Sequence, residues 1–155
     1  MRSLQSWLEE YGESHRNPVN KTIHWVCVPL IMLSMLGLLW SAPRPGFVAA
    51  LGPYANWATL VLTAAILYYL ALSVRLAVGM LVVGAAMCLV VQALAMLPWA
   101  VWITSLAIFV GAWIGQFIGH EIEGKKPSFF KDLQFLLIGP LWLLSAAYRG
   151  MHIAY

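Results

Sequence analysis

Charge is scarce in this sequence: nine Lys and Arg and six Asp and Glu are spread over 155 residues. A soluble domain carries roughly a quarter of its residues as charges, so a water-facing surface for a chain of this size is excluded. Cysteine is scarce too. Cys27 and Cys88 both lie inside apolar runs and read as small buried hydrophobes, which excludes a disulfide scaffold or a cysteine zinc site. There is no dense basic stripe with interleaved aromatics, so no nucleic-acid partner is expected. Gly-rich phosphate loops and the HExxH pattern are absent, and neither Ser14 nor Ser34 has a base and an orienting group beside it in the pattern a serine nucleophile needs. The first twenty residues are polar and mixed in charge, so no cleavable signal peptide is expected.

Apolar residues are plentiful: 62% of the chain is hydrophobic and its mean hydropathy is +0.81. A small core cannot absorb that excess, because a small protein keeps much of its surface exposed. The composition therefore predicts an all-α, integral membrane helical bundle forming a single domain over residues 1–155. Leu4, Trp7, Leu8 and Tyr11 recur at helical spacing within polar residues 3–15, predicting an amphipathic helix at the membrane surface. Asn17-Pro18 stops it and starts the next, Asn as cap and Pro preorganised for the first turn. Four spans are expected at about residues 23–40, 57–74, 76–97 and 99–118, the last three joined by tight turns. A further apolar segment, residues 129–148, is long enough for a fifth span, but Lys131, Asp132, Gly139 and Pro140 interrupt it and favour a re-entrant or interfacial helix pair.

With four spans, Arg2, Arg16, Lys21, Arg75, Lys125, Lys126, Lys131 and Arg149 share one side, against Arg44 alone on the other. The positive-inside rule makes that side, and both termini, cytoplasmic. His15, His24 and His120 then lie at one face of the membrane. Nine residues along an unbroken helix would place His15 and His24 on opposite sides, but the Asn17-Pro18 break lets both rings turn inward. Asn20 precedes His24 by four residues, so its amide is expected to orient that imidazole. Gln116, His120 and Glu123 form a stripe on the fourth span, and Gly111, Gly115 and Gly119 beside it would admit a close helix neighbour. Imidazoles with a carboxylate suit Fe(II), Zn or Mn. A single histidine at a membrane boundary is adequately explained as a hydrogen-bonded polar residue, whereas three on one face point to a site. Glu121 and Glu123 are about 200° apart on a helix; Glu123 shares the His120 face. His152, near the chain end, reads as no ligand.

Two motifs carry a family resemblance. Tyr11-x3-His15-x-Asn17-Pro18-x-Asn20-x3-His24, with Val28-Pro29 after it, and Gln116-x2-Gly119-His120-x2-Glu123-x3-Pro127 occur in this order at span ends. The chain resembles the membrane 2-hydroxy fatty acid dioxygenase family, the fungal ER enzyme of phytosphingosine breakdown and its bacterial relatives, over nearly its whole length. The resemblance implies Fe(II)-dependent α-oxidation: a 2-hydroxy fatty acid and O2 give a fatty acid one carbon shorter. It implies His15, His24 and His120 as iron ligands, with Glu123 a fourth ligand or an acid/base group, and Asn20 and Gln116 as catalytic partners. Asn17 and the Lys125-Lys126 pair are then candidates for holding the substrate carboxylate, or for the lysines lipid phosphates. A bacterial member would sit in the inner membrane among its lipids; oligomeric state is left open, a homo-oligomer included. The competing functional class is a small histidine-containing metal or proton transporter or carrier, disfavoured because almost no polar residues fall at mid-bilayer to make a path. A structural membrane protein without a site is the third.

Overall fold

The computed structural model describes residues 3–124 and 135–155. They are all-helical: α1 Leu4–Glu13, α2 Pro18–Ser41, α3 Gly46–Ala49, α4 Trp57–Leu72, α5 Val74–Leu94, α6 Val101–Glu123 and α7 Ile138–Gly150. Three of them, α2, α5 and α6, are long and apolar enough to cross a membrane.

Local chemistry sets the helix ends. The Ser3 hydroxyl accepts from the Ser6 N–H to begin α1, and α1 buries Leu8 and Tyr11 from its apolar stripe. The Asn17 side chain accepts from the Val19 N–H with Pro18 in the first turn of α2, so both roles expected for this pair are met. Because that cap starts the helix at once, α2 takes in the polar residues Asn20, Lys21 and Thr22 and begins five residues before the expected span. It continues through Pro29 to Ser41. The expected second span is shorter than foreseen. Ser73 is extended, ends α4 and caps α5 by accepting from the Leu76 N–H. At 16 residues, α4 covers about 24 Å, short of the roughly 30 Å hydrocarbon layer. The third expected span matches α5 within a few residues. The fourth runs on to Glu123, so that His120 and Glu123 extend the spanning helix, which Gly124 ends in the left-handed conformation at φ 70°.

α2 packs on α6, on α4 and on α5. On the α2–α6 seam an added Cβ at Gly115 would meet Cys27 Sγ at 2.6 Å, one at Gly119 would strike Asn20 Oδ1, and one at Gly37 would strike Ser105 Oγ. Gly111 does not belong to this seam: nothing lies within 4 Å of a Cβ there, which corrects its expected place beside Gly115 and Gly119. A hundred degrees per residue turns Gly111 progressively off the face that Gly115 and Gly119 share. α4 and α5 pack as a hairpin, with Leu62 filling the space beside Gly84. One end of the bundle is built from Leu36, Ala58, Val91 and Val101. The other joins α1, the α4–α5 turn and α7 around Leu8, Tyr69, Leu76, Ala77, Met80 and Leu141.

α7 packs on α1 and α5. Pro140 falls in its first turn, where a missing N–H leaves no helical bond unmade, so Gly139-Pro140 starts this helix instead of breaking it. The Tyr69 hydroxyl donates to Leu137 O at 2.8 Å just before α7. Arg16, Lys21, Arg75 and Arg149 fall at the α1–α7 end and Arg44 at the other. Cys27 and Cys88 are free thiols.

Candidate metal centre

Three imidazoles meet where the start of α2 adjoins the end of α6. His15 comes from the connector after α1, His24 from the second turn of α2 and His120 from the last turn of α6. Their ring centroids are separated by 4.2 Å (His15–His24), 5.1 Å (His24–His120) and 5.6 Å (His15–His120). One ring nitrogen of each lies within 4.8 Å of the others, and among the described residues no carboxylate or thiol joins that grouping. His15 and His24 are buried and His120 is half-buried.

Backbone carbonyls aim two of the rings. His15 Nδ1 is 2.6 Å from Tyr11 O, and His24 Nδ1 is 2.9 Å from Asn20 O. A carbonyl oxygen only accepts, so each Nδ1 carries the proton and the lone pair is left on Nε2. This is the arrangement by which an outer hydrogen bond fixes the tautomer and angle of a metal-binding imidazole. Two nitrogens on one first-row ion stand about 3 to 3.4 Å apart when each bond is about 2.1 Å, so small ring rotations suffice to close the group on an ion. Neutral imidazole donors of this kind suit Fe(II), Zn and Mn alike. The donor set therefore fits a transition metal.

The surroundings are apolar on the α1 side. Tyr11 stacks on His15 with centroids 4.1 Å apart and planes 10° from parallel. Trp142 of α7 lies 5.5 Å from both rings, and Phe135 packs edge-on against Tyr11. Trp142 and Phe135 escaped sequence reasoning: no periodicity ties the last helix to the first, and only the docking of that region on α1 brings Trp142 over His15 and Phe135 against Tyr11. Tyr11 was part of the first motif without a stated task, which is now clear: its ring and carbonyl both hold His15.

The remaining expected residues are placed as follows. Gln116, one turn before His120, is in hydrogen-bonding contact with the His24 ring through its side chain. Asn20 does orient His24, but through its backbone carbonyl. Its amide instead donates to Ser14 O at 3.2 Å and to Glu123 Oε2 at 3.0 Å. Glu123 does not join the imidazoles; Oε1 accepts from the Arg16 N–H and Oε2 from the Asn17 N–H, both at 2.9 Å. Both oxygens face the connector, and neither is among the atoms grouped with the three ring nitrogens. Asn17 is occupied as the cap of α2. Glu121 is exposed, as is His152 beyond α7, at φ 57°. Lys125 and Lys126 lie outside the described residues.

Against known families, residues 1–151 match the model described as 2-hydroxy-palmitic acid dioxygenase Mpo1-like. The chain belongs to that family. Comparison with curated proteins and with solved structures finds no significant match.

Proposed function

We propose that the chain is a membrane-embedded, Fe(II)-dependent dioxygenase that shortens 2-hydroxy fatty acids by one carbon. The observation carrying this reading is the convergence of His15, His24 and His120, in a chain whose family is named for such a dioxygenase. Bound there, the ferrous ion would supply the redox chemistry that lets O2 react with the hydroxy acid.

The protein's own contribution is placement and exclusion. Tyr11 O and Asn20 O hold the His15 and His24 rings at set angles, so little ordering remains to be done when ligands bind, and orientation of this kind lowers a reaction barrier substantially. The Tyr11, Phe135 and Trp142 rings keep water from the α1 side of His15. His120 is the only one of the three rings that is not buried, which supports substrate entry from its side. On the same side of α6, Phe117, three residues before His120, exposes its ring, and an acyl chain would lie along it in the bilayer with its carboxylate at the rim. Lys125 and Lys126, which follow in the chain, are assigned to that carboxylate. The basic residues gathered at this end support a cytoplasmic site with both termini on the same side.

Oxygen uptake by the iron-loaded protein in liposomes with 2-hydroxypalmitate tests the proposal. Uptake coupled to a product one carbon shorter is expected. No uptake with any chain length, from protein that retains its iron, would overturn it.

A further inference from the structure

Glu123 is the last residue of α6, where the helix dipole makes a carboxylate unwelcome. It stands instead before the start of α2, where backbone N–H groups lack helical partners. Three donors converge on it from that side: the Arg16 N–H, the Asn17 N–H and the Asn20 amide. The Asn20 amide also donates to Ser14 O. Residues 14–17 join two helices and lie in neither; α1 holds His15 from its own side, through Gly12 O and Tyr11 O. The backbone of residues 14–17 is bracketed on both sides of His15: Ser14 O by Asn20, and the Arg16 and Asn17 N–H groups by Glu123.

We propose that Glu123 is a positioning residue of the metal centre that acts through His15, tying the connector to α6 so that the His15 ring meets His24 and His120. This rests on the metal-site reading above. Both carboxylate oxygens accept from N–H groups at the start of α2, and neither is among the atoms grouped with the three ring nitrogens. The glycine at 119 belongs to the same device, since it lets Asn20 lie flat against α6 and reach Glu123.

The test uses the full chain in lipid nanodiscs, stripped of metal and titrated with Co(II), with a parallel Cu(II) sample for electron paramagnetic resonance. Loss of a partner that orients a metal ligand typically lowers affinity by about 10- to 100-fold, and that loss is expected for Glu123→Ala. In the His15→Ala background, Glu123→Ala should cause no further loss, because the ring it positions is gone. The Cu(II) nitrogen splitting should show fewer coordinating imidazoles in Glu123→Ala than in the parent, matching His15→Ala. A destabilised fold with an intact site would not change that splitting. Should Glu123→Ala not fold, Glu123→Gln preserves the side-chain shape while facing an amide NH2 to a backbone N–H, and the same comparison is made with it. Equal losses in the parent and His15→Ala backgrounds, or an unchanged nitrogen count, would overturn the inference while leaving the metal site standing. Absence of Co(II) binding by the parent chain would overturn the metal-site reading and this inference together.

Discussion

Alanine substitution along the glycines of α6 separates seam from lipid face with one methyl group at a time. At Gly111 a Cβ meets nothing within 4 Å, so alanine only improves helix propensity, by about 1 kcal/mol. At Gly115 the Cβ would stand 2.6 Å from Cys27 Sγ. A cysteine side chain is rotatable, so the cost is expected at the low end of overpacking, about 1–2 kcal/mol, and Cys27→Ala should recover most of it. At Gly119 the Cβ strikes Asn20 Oδ1 and lies 3.4 Å from Ile23 Cγ2. Asn20 is fully buried and its amide is engaged by Ser14 O and Glu123. Relief therefore either parts the helices or breaks those bonds, adding about 1.5–3 kcal/mol for the charge-assisted one to about 1–3 kcal/mol of overpacking. Thermal unfolding in detergent should rank Gly111→Ala at or above the parent, Gly115→Ala below it and Gly119→Ala lowest. A Gly119→Ala protein as stable as Gly111→Ala, or a Gly115→Ala protein not rescued by Cys27→Ala, would refute the α2–α6 register.

Replacing Asn17 by Ala removes the cap of α2 and should cost about 0.5–2 kcal/mol in thermal unfolding, whereas Asn17→Asp, which keeps an acceptor, should cost less; equal losses would argue against capping. Tyr11→Phe retains the ring stacked on His15 and should bind Co(II) like the parent, while Tyr11→Leu removes the stack and should bind it more weakly by calorimetry. Tyr69→Phe deletes the hydrogen bond to Leu137 O and leaves a carbonyl short of a partner, a loss of about 1–3 kcal/mol; it should speed proteolysis near the start of α7 without altering metal affinity.

The helix class, the long apolar helices and the convergence of three histidines were legible in the residues because each rests on local chemistry or on counting. Asn17-Pro18 announces its own helix start, and alternation of apolar segments puts His24 and His120 at one end of the bundle. What was not legible depends on contacts between distant segments. Ser73 serves as cap to α5 and so cuts α4 short, which hydropathy alone does not register. Asn20 was rightly tied to His24 but through the wrong atom, since side chain and carbonyl of one residue are indistinguishable in a spacing rule. Glu123 reads as a ligand because it shares the His120 face, yet its donors come from a connector and the first turn of α2, more than a hundred residues earlier. Trp142 and Phe135 had no signal at all until α7 was docked on α1.

Metal analysis of anaerobically purified protein, beside its His15→Ala, His24→Ala and His120→Ala variants, tests the three-imidazole iron site most directly. Stoichiometric iron is expected in the parent chain, with loss in each of the three variants and full retention in His152→Ala. A parent chain without iron, or iron that survives replacement of all three clustered histidines, would contradict the site.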